Sequence, residues 1–171
     1  IEPVRGAEVT ANAFSLMATP PLMGRALTER DERQSEPPVV VLSHALWTSR
    51  FAGDPAILGK TLKLGTVTAA VVGVMPATAS VGSWTGMASE VWIPLALTDE
   101  QRASRGNHNR YGVARLRRDV DVAQGQAEME AMAHAVFERL PQTFRRLCEG
   151  HVIRVDDFAT DEVLDSMGIE S

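Results

Sequence analysis

The residues here whose types could carry metal or acid–base chemistry are four histidines, one cysteine and an acidic C-terminal run. His44, His108, His134 and His151 lie far apart, and no pair stands at metal-ligand spacing, so a zinc or general-base site would have to be assembled by the fold. His44 follows Ser43, a good helix cap, and reads more simply as a first-turn residue at a polar edge. Cys148 stands alone, which rules out an intrachain disulfide and a thiolate cluster. Asp156, Asp157 and Asp161 lack the ligand alternation and glycine of an EF-hand loop and read as solvated charge. Arg115, Arg117 and Arg118, with Arg145 and Arg146, read the same way. Met129 and Met132 stand at helical spacing and are expected in a core, not on copper or haem. The phosphate cradle G-x-x-x-x-G-K-[ST], the G-x-S-x-G elbow and the H-E-x-x-H zinc helix are absent from the sequence.

Composition narrows the class further. With 44% hydrophobic and 23% charged residues, the chain falls in the range of an ordinary globular protein, and 171 residues can bury a substantial core. A formal net charge of -5 opposes nonspecific nucleic-acid binding, which needs a concentrated basic footprint to displace counterions. The chain opens at Ile1 without a basic n-region or apolar h-region and reads as part of something longer. Leu64 to Ser89 carries no charged side chain. Only Val67 to Met75 is close to continuously apolar, however, and Pro76 with the Gly, Ser and Thr that follow suits a buried strand and an uncharged loop better than a membrane span.

The stretch from Val39 to Pro94 organises the elements. Val39, Val40 and Val41 form a β-branched run leading to Ser43, and Leu46, Trp47 and Phe51 then share one helical face. Gly53 stands where a glycine closes a helix, and Asp54-Pro55 offers a cap and a first-position proline for a second short turn holding Ile57 and Leu58. Thr61 to Leu64 and Val67 to Val74 read as two strands around Gly65, and Val91 to Leu97 as one more.

The flanking segments are less regular. Val4 to Thr10 reads as a strand, and Asn12 caps a short helix with Phe14, Leu16 and Met17 that Pro20-Pro21 stops. Leu22 to Pro38 reads as a charged, solvated connector. The loop from Pro76 to Glu90 presents Trp84 and Met87 among small residues, which makes these two the candidates for a partner contact. Asp99 to Asn109 reads as a polar bend and Arg110 to Arg117 as a strand. A helix from about Val122 to Leu140 follows. Asp121 and Gln124 have capping-box spacing, and Met129, Met132, Ala133, Val136, Phe137 and Leu140 line an expected core face. Val152 to Val155 would complete a β-α-β element. The fold class expected is α+β, with one lobe built from both chain ends, approximately 1–38 and 98–171, and a second from the inserted middle, approximately 39–97.

The string LSHALWTSRFAGDPAILGKTLKL, followed by VVGVMP and VWIPLAL, resembles the extracytoplasmic core domain of MacB-like (FtsX-type) ABC transporter permeases, and is most similar to the acidobacterial-type duplicated permeases. VTANAFSLMATPPLMGRALTERDE upstream and ARLRRDVDVAQGQAEMEAMAHAVFERLP downstream extend the resemblance over most of the chain. Gly65-Thr66-Val67 departs from it, since a more polar hairpin tip such as an Asn-Gly pair is expected there. These are fold signatures, not catalytic ones. The resemblance implies a two-lobed, non-catalytic periplasmic domain of a bacterial inner-membrane protein, without catalytic residue, metal or cofactor. The partners it implies are a cytoplasmic ABC ATPase reached through the membrane part of the parent, a second permease copy, and a periplasmic adaptor or lipoprotein. An independent periplasmic binding module for a lipid, peptide or adaptor protein is the alternative.

Overall fold

The structure is a computed structural model that describes residues 3–79, 89–104, 110 and 112–139. In chain order its elements are β1 (Gly6–Val9), α1 (Ala13–Leu16), β2 (Met23–Gly24), β3 (Val39–Leu42), α2 (His44–Phe51), a single 3₁₀ turn (Pro55–Ile57), β4 (Thr61–Leu64), β5 (Val67–Val74), β6 (Val91–Pro94), α3 (Asp99–Ala103) and α4 (Val122–Glu138). The chain divides into one compact unit that contains residues 3–110 of this set and a second that contains 112–139.

The first unit is built on one mixed sheet in the order β1-β6-β3-β5-β2, with β4 also paired to β5. β1 runs parallel to β6 and β3 parallel to β5, while β3–β6, β2–β5 and β4–β5 are antiparallel. Segments 1–38 and 39–97, assigned to different lobes from the sequence, thus contribute strands to a single sheet. The class is α+β, as expected.

β3 is the centre of this sheet because its residues have apolar company on both faces. Val40 and Leu42 join Leu46, Ile57, Ala69, Val71, Val74 and Val91 on one side, and Val39 and Val41 join Phe14, Leu27, Met75 and Trp92 on the other. Val40, Val41 and Leu42 have no exposed surface. At about 1.5–3 kcal/mol for each large apolar side chain fully buried, this strand is a principal stabilising element. Phe14 meets Trp92 edge-on, with ring centroids 5.5 Å apart and planes at 88°.

A bulge lets β5 serve both faces. Val40 pairs with Val71, but the next residue, Val41, pairs with Gly73. Val72 is the extra residue, and it reverses the side-chain alternation. Ala69 and Val71 point to the first cluster, and after the bulge Val74 does so too while Met75 reaches the second.

The local signals of the middle stretch are realised. Ser43 Oγ accepts from the Leu46 amide at 3.1 Å, and the Asp54 carboxylate accepts from the Ala56 amide at 2.8 Å. Ala52 and Gly53, at φ 52° and 67°, turn the chain out of α2. At the β4–β5 hairpin, Gly65 has φ 62° and Thr66 does not share it. Positive φ at the first central residue alone is the pattern of a II′ turn, so a glycine there replaces the Asn-Gly pair.

Elsewhere the structure departs from the sequence reading. Asn12 has helical φ and ψ, and its side chain accepts from Thr10 Oγ1 at 2.7 Å without capping α1. α1 ends before Pro20-Pro21 because Ala18 adopts φ 51°, with Ala18 and Thr19 amides bonded to Ser15 and Phe14 carbonyls. Within Leu22 to Pro38 a short strand, β2, pairs with β5. Val91 to Leu97 keeps strand geometry only to Pro94. Asp99 begins a helix, α3, where a bend was expected, because Thr98 and Gln101 form a reciprocal capping box.

In the second unit, residues 112–117 are not a strand, and they are exposed, without the pairing that would hold one. The capping box at the start of α4 is present, with the Gln124 amide 2.7 Å from Asp121 Oδ1 and the Asp121 amide 3.2 Å from Gln124 Oε1. Its expected core face is not buried at Met129 and Met132, which are 43% and 56% exposed. Buried on α4 is Gly125, on which Leu116 rests so closely that a Cβ would lie 2.8 Å from Leu116 Cδ2. Helical spacing says which residues share a face, and not what covers that face. Leu140 and Val152 to Val155 lie outside the described residues, as do the side chains of Val136 and Phe137.

Candidate functional site

Among the described residues, no group of three or more His, Cys, Asp or Glu side chains could hold a metal ion. His44 opens α2, half-buried, with its ring edge-on to Trp47 at 5.7 Å and 76°. His134 is exposed on α4. His108, His151, Cys148 and the acidic run from Asp156 lie outside the described residues, and so do the contact candidates Trp84 and Met87. Every buried side-chain polar atom among the described residues has a hydrogen-bond partner. No helix among the described residues is long and apolar enough to cross a membrane.

What the fold does assemble is a polar groove of about 520 Å³ in the first unit. One wall is the charged connector, through Glu29, Glu32, Arg33, Gln34 and Ser35, and the other is the start of α3, through Leu97, Thr98, Asp99 and Arg102. Both signs of charge face it. Carboxylates, guanidinium groups and the Ser35 and Thr98 hydroxyls line it, so the groove offers polar and charged contacts. Its two walls come from segments far apart in sequence. The Thr98-x-x-Gln101 capping-box spacing was the one local signal that could have placed a helix there.

The connector wall is tied down by two carboxylates. Asp31 receives both Nη atoms of Arg25, at 2.6 and 2.9 Å, and both the amide and the hydroxyl of Thr28 at 2.7 Å. Its side chain is only 8% exposed. Burial works to raise the Asp31 carboxyl pKa, but the Arg25 hydrogen bonds, the Thr28 donors and the guanidinium charge together outweigh it and hold the group below the ordinary carboxylate range. Glu32 Oε1 accepts from the Ala11 amide at 2.6 Å, and Arg30 pairs with Glu36 at 3.0 Å. The segment expected to be a solvated connector is thus a pinned one.

A second local network shapes the turn after α2. Trp47 Nε1 donates to the Asp54 carbonyl at 3.0 Å, and Lys60 Nζ reaches the Asp54 carboxylate at 3.2 Å. The Ala56 amide first, and Lys60 second, hold the Asp54 carboxyl below its usual range.

Over residues 2–132 the chain matches the family described as MacB-like periplasmic core domain. Among solved structures it is similar to the periplasmic region of MacB from Actinobacillus actinomycetemcomitans, at 17% identity and a TM-score of 0.53, over 88% of this chain and 67% of that one. It is also similar to a domain of a putative permease protein from Porphyromonas gingivalis, at 17% identity and a TM-score of 0.52, over 82% of this chain and 57% of that one. At this identity the likeness is one of fold. No curated protein matches the chain.

Proposed function

The chain belongs to the MacB-like periplasmic core domain family, the extracytoplasmic core of ABC transporter permeases, and from that premise we propose that it is a non-catalytic domain relaying ATPase-driven conformational change to a periplasmic substrate or partner protein. The observation that carries this reading is the family match over residues 2–132. It is supported by the mixed sheet with a core on both faces, a body stiff enough to move as a unit. The domain stands in the periplasm on a bacterial inner-membrane protein. Its partners are a cytoplasmic ABC ATPase, coupled through the membrane part of the parent, a second permease copy, and a periplasmic adaptor or lipoprotein. Kinship with the acidobacterial-type duplicated permeases belongs to the same proposal and rests on the string from Leu42 to Leu64. The division into two lobes, approximately 1–38 with 98–171 and approximately 39–97, belongs to the proposal too and rests on the family resemblance, with 1–38 and 39–97 joined through the shared sheet.

The test is hydrogen exchange of this domain inside the full-length permease assembled with its ATPase, with and without ATP. Exchange in the domain that changes with nucleotide supports a relay, and identical profiles overturn it. The isolated chain is expected neither to bind nor to hydrolyse ATP.

The alternative, a free-standing binding module for a lipid, peptide or adaptor, draws on the apolar pair Trp84 and Met87 in an otherwise small-residue loop. A Trp84→Ala variant that keeps its fold but loses a ligand captured by the native chain would favour it.

A further inference from the structure

Residues 26–36 are joined to the first unit in an uneven way. At their base the Arg25 amide donates to the Val72 carbonyl at 2.8 Å, which fixes that backbone to β5. Beyond the base the segment pairs with no strand, and its turns close on themselves, Asp31 to Thr28, Arg33 to Arg30 and Glu36 to Arg33. What holds it down is Leu27, 4% exposed in the cluster of Phe14, Val41 and Trp92, the Arg25–Asp31 fork, and Glu32 on the Ala11 amide. Gln34 Nε2 adds a long contact of 3.5 Å to the Ala96 carbonyl. The same segment forms one wall of the polar groove.

We propose that residues 26–36 are a strap that opens as a unit over a standing sheet, with the Arg25–Asp31 fork as its latch, so that opening widens the groove against α3. The physical ground is the contrast in local stability. A segment held by a few side-chain ties and one buried leucine opens at lower free energy than strands buried on both faces. Glu32 makes the opening visible at a distance, because lifting the strap strips the Ala11 amide of its acceptor.

Native-state hydrogen exchange on the 171-residue chain tests this, read at Ala11, Asp31 and Arg33 for the strap and at Val71 and Met75 for the sheet. In Asp31→Asn, the strap amides and Ala11 are expected to exchange faster together by about tenfold or more, and to keep opening at a free energy well below that of the sheet amides. Strap amides that do not accelerate, or that open at the same free energy as the sheet amides, would overturn the proposal. Should that variant fail to fold, the native chain still decides it. Strap amides must then open at one shared free energy with little dependence on dilute urea, and an opening as costly and as urea-sensitive as that of the sheet would refute the strap.

Discussion

Gly24 of β2 and Gly73 of β5 face each other across an antiparallel pair with no room for a side chain on either. A Cβ on Gly24 would drive into the Val72 carbonyl oxygen, and one on Gly73 into the carbonyl of Arg25. Gly24 also sits at φ 73°, where an L side chain is strained. This close approach follows from the bulge at Val72, which turns its carbonyl toward the Arg25 amide. Gly24→Ala is therefore expected to destabilise the chain by about 3 kcal/mol, from overpacking and left-handed strain together. Gly73→Ala meets backbone in the same way and should cost a similar amount. Urea unfolding of both variants checks this, and a change within experimental error would mean that the two strands stand further apart.

Ala18 and Ala52 call for the opposite substitution. Both are exposed and both hold positive φ, 51° and 52°, at the ends of α1 and α2. Glycine would relieve the Cβ clash without removing buried contact, and the gain should exceed the added chain entropy. Ala18→Gly and Ala52→Gly are each expected to stabilise by about 0.5–1 kcal/mol, seen as a small rise in thermal midpoint.

The middle of the fold was legible in the sequence because each of its boundaries has a local cause. Ser43, the Asp54-Pro55 pair and Gly65 each act within a few residues, and α2, the 3₁₀ turn and the β4–β5 hairpin fall where these residues place them. β2 was not legible, because a two-residue strand exists only by virtue of an edge that the Val72 bulge prepares for it. α3 was missed for a different reason, a polar segment whose Thr98 and Gln101 cap each other despite the lack of any buried face. The groove was illegible, since its walls are brought together only by the sheet. Asp31 carried no signal of its partners either, as mixed charge in a loop looks the same whether it is solvated or paired.

Trp47 is expected to matter through its nitrogen as well as its ring. Its Nε1 donates to the Asp54 carbonyl, and its six-membered ring lies beside Gly53. Trp47→Phe keeps most of the apolar contact and removes the donor, so the loss should be about 1 kcal/mol. Trp47→Ala adds the packing loss and should cost about 3–5 kcal/mol if the ring is as well packed as a core aromatic, less in proportion to its exposure. Equal effects of the two substitutions would show that the hydrogen bond dominates.

Asp31 should make stability depend on acid. Its carboxyl is held below the usual range in the folded chain, whereas in the unfolded chain it titrates near the ordinary aspartate value of 3.8. The charged form is thus favoured by folding. The stabilisation it gives is complete above the unfolded pKa and is lost as pH falls through the folded one. Asp31→Asn keeps the size of the side chain but removes the charge that the Arg25 fork and the Thr28 donors are arranged around. At neutral pH it is expected to cost about 1.5–3 kcal/mol, the range for hydrogen bonds to a charged group, with the solvent-exposed half of Arg25 favouring the lower end. As the pH is lowered below about 4, the native chain loses this advantage, and the two unfolding curves should converge. Denaturant midpoints of both chains measured from pH 7 down to pH 3 provide the check. A gap that stays constant across that range would show that the Asp31 charge contributes nothing and that the strap is held by Leu27 and shape alone.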